Sequence, residues 1–347
     1  MSIRRGGGWR AAARQEPGAS PAPSAARRPG ALSQLLGLAP VAVAPHVFEV
    51  GAGALRYGAF SRRAGGFDVE RLVETELPEE TFHVGPLGGP LRGREAFDDA
   101  IERLLAQADA PPAEASLVLP DRWLRLLFTD LEEELGAHLE DDVLRFKLKK
   151  LVPFRVEDLR LRAAVVPAFP GQPMGRARLL LAFAIEQLVR DLEAAFLGRG
   201  VRIGQVASRS LYLMSLVREL VDGGVLLVNL EPDGYCLCHI AGGVPYVVRY
   251  RALQVEPGDA GQAGNVAQDL RILLGFLEEH LPEHGVDEAL VCGEPAATAP
   301  WLEMLRDRFA LPSRALGASD LPIVAPAAGT LWHRVAPLLA AASREVA

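Results

Sequence analysis

The chain has 347 residues, 49% of them hydrophobic and 23% charged, so it is long enough for two domains with full hydrophobic cores. The first 30 residues carry six arginines and one glutamate, which leaves about -12 of charge on the remainder of a chain whose net charge is -7. An acidic body argues against nucleic-acid binding through a broad electrostatic face, and no uninterrupted run of about 18 apolar residues marks a membrane span.

Residues 1–40 are rich in alanine, glycine, proline, serine and arginine, a composition typical of a disordered tail. Arg27 and Arg28 precede an apolar stretch ending at Ala44, which looks like a twin-arginine export signal. Pro45 would be the first residue after cleavage, and proline disfavours cleavage there. We therefore favour a disordered tail, or a start codon assigned too far upstream, over an export signal.

Three strands joined by glycine turns are predicted next, at 41–50, 54–60 and 67–77. The glycine-rich stretch 85–93 lacks the Gly-Lys-Ser/Thr ending of a phosphate-binding loop, and no strand leads into it, so we interpret it as a surface turn. A helix over 94–109 follows, with its apolar residues at helical spacing.

A second, smaller lobe is predicted after the buried strand 115–120. Its elements have the order of a compact α/β unit: strand 122–128, helix 139–151, strands 159–166 and 177–185, helix 186–200 and strand 201–208. A helix over 211–221 then returns to the main body.

From Gly223 the chain repeats the pattern of its first half, which suggests an internal duplication. Three glycine-punctuated strands come first, and helices surround one further buried strand. The predicted elements are strands 225–231, 235–242 and 244–253, helix 265–281, strand 288–293, helix 301–309 and a closing helix over 329–345.

The segment 145–159 combines a helix end, a proline hinge and the start of a strand. Pro153 stops the helix and forces Val152 into an extended conformation, so Phe154 is turned away from the helix that it follows. A basic cluster surrounds this hinge, either as the solvated face of the helix or as a positive rim for a partner peptide or an acidic lipid surface. The cluster consists of Arg145, Lys147, Lys149, Lys150 and Arg155.

Candidate metal and catalytic residues are few. The three cysteines, Cys236, Cys238 and Cys292, indicate a reducing compartment, and no further ligands at workable spacing predict a metal site. His280 and His284 are separated by Pro282, which prevents a helical turn from aligning the two rings. No nucleophile motif such as Gly-x-Ser-x-Gly is present.

The hinge segment resembles the PilM family of type IV pilus assembly proteins. The matching residues are Leu151, Val152, Pro153, Phe154, Glu157, Asp158 and Leu159, and the order of elements over about 45–345 agrees. The resemblance implies an α/β, actin-like (ribonuclease H-like) two-domain fold with an inserted small α/β subdomain. On this hypothesis 1–40 is the tail, 41–121 the first half, 122–207 the inserted lobe, 208–222 a return helix and 223–347 the second half.

The same resemblance implies where ATP would lie, between the two halves. The first phosphate motif falls on Glu49, Gly51 and Arg56, where its hydroxyl is absent, and the second falls on Asn229 and Glu231, where an amide and an acid replace aspartate and glycine. The adenosine motif keeps one glycine, Gly293. We therefore predict no cofactor and no ATP hydrolysis, with bound ATP and Mg²⁺ as the alternative.

The resemblance further implies a cytoplasmic protein, peripheral at the inner membrane, whose groove between body and lobe holds the tail of a PilN-like partner. Within the hinge segment we expect Lys149, Lys150, Pro153, Phe154 and Arg155 to contact that partner. The alternatives are an active actin-like ATPase of the same machinery and a type II secretion cytoplasmic-domain relative. A sugar kinase is disfavoured because its Asp-x-Gly-Gly-Thr-Lys motif is absent.

Overall fold

The structure is a computed structural model that describes residues 45–51, 53–82, 91–108, 110–132, 141–152, 155–173, 175–220, 223–253, 260–324 and 330–343. The predictions for the N-terminal tail, for most of the glycine-rich stretch, and for Pro153 and Phe154 lie outside these residues.

The described strands form three sheets, two of five strands and one of three. They are β1 (His46–Val50), β2 (Ala54–Arg63), β3 (Gly66–Glu76), β4 (Glu114–Leu119), β5 (Leu124–Glu132), β6 (Leu159–Val166), β7 (Arg176–Ile185), β8 (Arg202–Ser208), β9 (Gly224–Glu231), β10 (Gly234–Ala241), β11 (Val244–Ala252), β12 (Glu288–Cys292) and β13 (Ser313–Ala315).

Helices cover the sheets, and none of those described is both long enough and apolar enough to cross a membrane. They are α1 (Arg94–Leu105), α2 (Asp141–Lys149), α3 (Glu186–Leu197), α4 (Arg209–Val217), α5 (Ala260–His280), α6 (Pro295–Phe309) and α7 (Trp332–Ala342).

The two five-stranded sheets have the same topology. The first has the order β3-β2-β1-β4-β8 and the second β11-β10-β9-β12-β13. In each, three antiparallel strands are followed by two parallel ones. The matching order supports the internal duplication predicted from the sequence.

The core of the first half follows from the apolar periodicity of its elements. Phe97, Ile101 and Leu104 of α1 fall at helical spacing and are all fully buried. They pack in one cluster with Phe48 of β1 and Leu117 of β4, the central strands of the sheet. The central strands β1 and β4 are buried along almost their whole length, and the sequence of β4 accordingly shows a nearly continuous apolar run.

The inserted lobe is built on the antiparallel sheet β5-β7-β6. Because side chains alternate along a strand, β7 presents Leu179 and Leu181 to one face and Leu180 to the other. Helix α2 covers the first of these faces with the buried Leu144 and Leu148. The opposite face is turned towards the first half.

Strand β8 differs from its predicted place. The order of elements in the sequence predicts β8 in the inserted lobe, whereas this strand pairs in parallel with β4 at the edge of the first sheet. The lobe is therefore an insertion in the chain between β4 and β8 of the first sheet. Nothing local distinguishes the two placements, because they differ only in which distant strand supplies the hydrogen bonds.

Helix α7 also differs from its predicted place. Its place in the chain predicts that it belongs to the second half, whereas Val335, Leu338 and Leu339 are fully buried in the core of the first half, against α4 and β1. The short strand β13 was not predicted, and α6 begins at Pro295, six residues before the predicted start.

The lobe also contacts the second half. The Arg178 side chain of β7, which is only 5% exposed, lies 4.0 Å from the ring centroid of Phe128 and donates a hydrogen bond to the carbonyl of Tyr246 on β11. Arg125 of β5 lies 4.7 Å from the ring centroid of Tyr250. Cation–π contacts thus join the lobe to the strand at the edge of the second sheet.

Candidate functional site

Several buried polar residues meet between the two halves. Glu49 lies on β1, Asp121 follows the end of β4 after Pro120, and Asn229 lies on β9 of the second sheet. The carboxyl ends of β1 and β4 in the first sheet and of β9 in the second face one another across a cleft, the usual ligand site of such folds. Arg209, the first residue of α4, enters the cleft from the end of β8.

Arg209 is the centre of this cluster. It is 7% exposed, and its Nη1 donates to Oε1 of Glu49 at 2.7 Å, while its Nε donates to Oδ1 of Asn229 at 3.0 Å. Its Nη2 donates to the carbonyl of His333 at 2.6 Å, close to the sulfur of Cys292. One guanidinium therefore joins the first half, the second half and the start of α7.

Asp121 has both carboxylate oxygens occupied by protein donors. Oδ1 accepts the backbone N–H of Ser210 at 3.0 Å, and Oδ2 accepts the Ser210 hydroxyl and the Asn229 amide, the latter at 2.8 Å. Burial raises the pKa of Asp121 despite these hydrogen bonds.

Glu231 crosses the cleft to the first half. Its two carboxylate oxygens accept the backbone N–H of Asp121 at 3.1 and 3.2 Å. Burial, reinforced by the nearby Asp121 carboxylate, raises the pKa of Glu231 well above its ordinary value. The negative charges of these two carboxylates disfavour each other, so full ionisation of both is costly.

Opposite charges hold Glu49 from both sides. Its Oε2 accepts from Arg56 at 3.2 Å, and Arg56 also pairs with Glu74 on β3. Burial is the largest single effect on Arg209 and disfavours a charged guanidinium, yet Glu49 together with Cys292 and Glu231 outweighs it, so the pKa of Arg209 is raised. The cleft thus carries its own cation, held by a buried carboxylate.

The structure brings the predicted nucleotide-site residues to this cleft. Glu49, Arg56, Asn229 and Glu231 take part in the cluster, and Gly51 forms the turn between β1 and β2, where its N–H donates to Ala54. Gly293 follows β12, and a Cβ at that position would lie 2.7 Å from Leu230.

Sequence reasoning missed the residues at the centre of the cluster. Asp121 and the pair Arg209 and Ser210 come from segments interpreted as a connection and as the start of a helix. A usable signal exists for each, because both segments directly follow a strand that runs parallel to its neighbours. Residues at that point of a strand face the cleft.

The arrangement does not fit a magnesium nucleotide. The carboxylates of Glu49, Asp121 and Glu231 all accept hydrogen bonds from protein groups. Mg²⁺ requires carboxylate oxygens open to it and to its waters. The guanidinium of Arg209 lies among these carboxylates, so no chemical step through a bound nucleotide follows from this site.

A second concave site lies between the inserted lobe and the first half, and we call it the lobe groove. Its volume is about 250 Å³. The floor is apolar, and alanines of β7 leave the space open, while arginines of β6 form the rim. The lining residues are Leu124, Arg160, Arg162, Ala182, Phe183, Ala184, Val189, Glu193, Ile203, Gly204, Gln205, Val206, Ala207 and Leu211.

The lobe groove runs along the edge of strand β8. Five successive residues of β8, from Ile203 to Ala207, line it, although successive side chains of a strand point to opposite faces. A groove that meets every residue in turn follows the edge of the strand, where backbone N–H and C=O groups lie. Among the described strands β8 pairs only with β4, so this edge has no strand beside it.

The predicted partner-contact residues lie elsewhere on the lobe. Lys149 and Arg155 flank the end of α2, on the opposite face of the lobe sheet from the groove, and both are exposed, as is Lys150. None of the three lines the lobe groove. Their contact with a partner stays a prediction, as does that of Pro153 and Phe154.

Two sheets of the same topology, one in each half, around a shared cleft and with a small inserted lobe, define the actin-like fold. In keeping with this, the chain is similar to a protein of unknown function from Bacteroides thetaiotaomicron that has an actin-like ATPase fold. The TM-score is 0.50 at 10% identity, over 78% of this chain and 90% of that chain.

The chain is also similar to a chain of the PilM-PilN type IV pilus biogenesis complex, with a TM-score of 0.68 and 15% identity. The superposition covers 88% of this chain and 98% of that chain. The predicted actin-like fold and the resemblance to PilM are thus confirmed at the level of fold, with sequences that have diverged widely. No protein-family model matches the sequence, and no curated protein does.

Proposed function

We propose that the protein is a non-catalytic, actin-like scaffold of type IV pilus assembly. Its lobe groove would hold the extended cytoplasmic tail of an inner-membrane partner similar to PilN. On this proposal the protein is cytoplasmic and peripheral to the inner membrane, where the partner's tail tethers it.

The observation that carries the proposal is the open edge of β8 inside an apolar groove. An extended peptide can add a strand to such an edge, so that its backbone hydrogen bonds supply affinity. The apolar floor, which includes Leu124, Val189 and Leu211, would receive alternate side chains of the peptide. The similarity to a chain of the PilM-PilN complex supports a tail of that kind.

Arg160 gives the groove a fixed rim. Its guanidinium is held by Glu186 at 2.8 Å and by Glu193 at 2.6 Å, and the hydrogen bond to Glu186 is the main reason that the pKa of Arg160 is raised. A rim held by two carboxylates needs little reordering when a peptide binds, which favours binding.

The tail proposal is tested with a labelled peptide from the cytoplasmic segment of a PilN-like protein. We expect saturable binding in fluorescence anisotropy, weakened at least about ten-fold by Ala182→Trp, which fills the groove. Val165→Trp is the matched control, because Val165 is exposed on the neighbouring strand and does not line the groove. Equal binding by wild type and Ala182→Trp would refute the assignment of the tail to this groove.

Nucleotide binding, which the ATPase alternative requires, is tested separately by melting the protein with and without millimolar ATP and MgCl₂. A ligand present at 100 times its Kd stabilises the native state by about 2.7 kcal/mol, a readily visible shift. We expect no shift, because Arg209 and its partners occupy the cleft. A raised melting temperature that Arg209→Met abolishes would favour the ATP-binding alternative.

A further inference from the structure

The lysines of this protein are gathered at one place. The chain has 34 arginines and only three lysines, and those three, Lys147, Lys149 and Lys150, lie within four residues of one another. They occupy the last turn of α2 and the residue after it. Everywhere else the chain uses arginine for its positive charges.

The lysines also differ from the arginines in what they contact. Among the residues that the structure describes, every ion pair is made by an arginine, apart from a 3.9 Å contact between His280 and Glu279. Arginine forms planar, two-pronged pairs with carboxylates, whereas the lysine ammonium is compact and strongly hydrated. In an acidic protein, lysine keeps this positive charge available to an external partner.

An exposed aromatic ring lies among these lysines. The Phe146 side chain is 64% exposed, and the Lys150 ammonium lies 4.5 Å from its ring centroid. Leu151, in the next turn, is 47% exposed. We call Phe146, Lys147, Lys149, Lys150 and Leu151 the lysine patch.

The packing of α2 in the lobe core does not explain the residues of the lysine patch on its exposed face. Leu144 and Leu148 fill the lobe core, and Arg145 is tied to the carbonyl of Val156. Cations in the last turn favour the helix dipole, which explains a positive residue there but not the use of lysine in place of arginine. Nor does the dipole explain an exposed phenylalanine beside them.

We infer that the lysine patch binds the surface of a membrane rich in anionic lipids. Helices that lie at the membrane interface typically combine lysines with exposed aromatic and apolar residues, as this patch does. The ammonium groups would approach the headgroup phosphates, while the Phe146 ring, no longer covered by Lys150, enters the boundary of the acyl chains. A ring on the outward face of a nine-residue helix suits a deformable lipid surface better than the concave pocket that a protein anchor needs.

The inference is tested with the full chain and lipid alone, so its outcome does not depend on whether the lobe groove binds a tail. We expect the protein to sediment with phosphatidylcholine vesicles containing about 30% phosphatidylglycerol, and not with pure phosphatidylcholine vesicles, at about 0.1 M salt. Each lysine near an anionic surface contributes about a five-fold factor, so Lys→Gln at all three positions should weaken binding about 100-fold.

Three further variants locate the binding. Lys→Arg at the same three positions keeps the charge and should retain binding, which separates lipid contact from chemical modification of lysine. Phe146→Ser should weaken binding about ten-fold by removing the inserted ring. The triple variant Arg271→Gln, Arg306→Gln, Arg308→Gln removes three exposed charges from the second half and should bind like wild type.

Several results would overturn the inference. Equal sedimentation with both vesicles would show that anionic headgroups are not recognised, and wild-type binding by the Lys→Gln variant would assign the lipid contact to the N-terminal arginines. If Phe146→Ser bound as strongly as wild type, the Phe146 ring would not be part of the lipid contact. Failure to bind either vesicle would assign the patch to a protein partner instead. Unchanged melting temperatures check that each variant is folded.

Discussion

At the scale of single residues, the cleft shows how a buried charge is tolerated. Arg209 and Glu49 are both almost fully buried, and an ion pair in such surroundings survives only when further hydrogen bonds complete it. Asn229 and the His333 carbonyl supply them. The guanidinium of Arg209 thus bonds to both halves of the molecule at the cleft.

Removing Arg209 should therefore be costly. We expect Arg209→Met to lower the free energy of unfolding by about 3 kcal/mol, because Glu49 then keeps a buried charge with only Arg56 beside it. Urea unfolding measures the change. In the double variant Glu49→Gln, Arg209→Met the stranded charge is gone, so its loss should be smaller than that of Arg209→Met alone. A larger loss in the double variant would contradict this account.

Glu231 should make stability depend on pH. Its pKa is raised in the native state, so the native protein holds a proton that the unfolded chain releases near pH 4.5. The stability that this proton gives is present below the unfolded pKa and is lost as the pH rises towards the folded one. Glu231→Gln cannot lose it, so we expect the variant to gain stability over wild type as the pH rises.

The comparison for Glu231→Gln is made by urea unfolding at intervals from about pH 4.5 upwards to about pH 9. Burial, with a smaller effect of Arg209, lowers the pKa of His333 to about 4. The stability that neutral His333 contributes is lost as the pH falls from about 6.5 towards 4, but both proteins lose it equally, so it cancels from their difference. A difference between wild type and variant that stays constant over the whole range would contradict the raised pKa of Glu231.

At the scale of elements, close backbone contact fixes the start of β9. A Cβ on Gly224 would lie 1.6 Å from the carbonyl oxygen of Gly285, and its own N–H donates to Asp287 at 2.8 Å. Backbone on both sides of this contact leaves no side chain to rotate away. Gly275, in the interior of α5, is the opposite case, because nothing lies within 4 Å of a Cβ there.

The two glycines should respond in opposite directions to the same substitution. We expect Gly224→Ala to destabilise the protein by about 3 kcal/mol through overpacking. Gly275→Ala should instead stabilise it by about 1 kcal/mol, because alanine restricts the unfolded chain and favours the helix. Thermal unfolding of both variants checks this, and a stable Gly224→Ala protein would mean that the contact with Gly285 is looser than described.

The elements also show how far sequence reasoning reaches. The two sets of three strands, the helices and the three lobe strands could be predicted from the spacing of apolar residues and from the positions of glycine and proline, which are local properties of the sequence. The sheet membership of β8 and the packing of α7 depend on distant partners, and no local signal encodes them. The cleft cluster is the extreme case, since Glu49 and Arg209 are 160 residues apart in the chain.

At the scale of the whole molecule, the inserted lobe is held to the second half by an unusual contact. Arg178 is buried among Phe128, Phe169 and Tyr246, and among the described residues no carboxylate pairs with it, so its Nη1 has no hydrogen-bond partner. Burial lowers its pKa to about 10. The negative faces of the aromatic rings and the Tyr246 carbonyl oxygen stabilise the positive guanidinium, so the contact depends on the positive charge of this side chain.

Reversing that sign should detach the lobe. Arg178→Glu would place a carboxylate against the rings and the Tyr246 carbonyl, both of which repel it. We expect a larger radius of gyration by small-angle X-ray scattering with little loss of helix signal. Arg176→Glu is the matched control, because Arg176 lies on the same strand two residues earlier and is exposed. An unchanged radius for Arg178→Glu would show that other contacts hold the lobe.

The position of α7 has a consequence for biosynthesis. Trp332–Ala342 completes the core around β1 and β4, strands that leave the ribosome more than 200 residues earlier. The second half lies between them in the chain and can form its own sheet first. The nascent first half must therefore wait, incomplete and with apolar surface uncovered, until α7 has been synthesised, and chaperones are most needed during that interval.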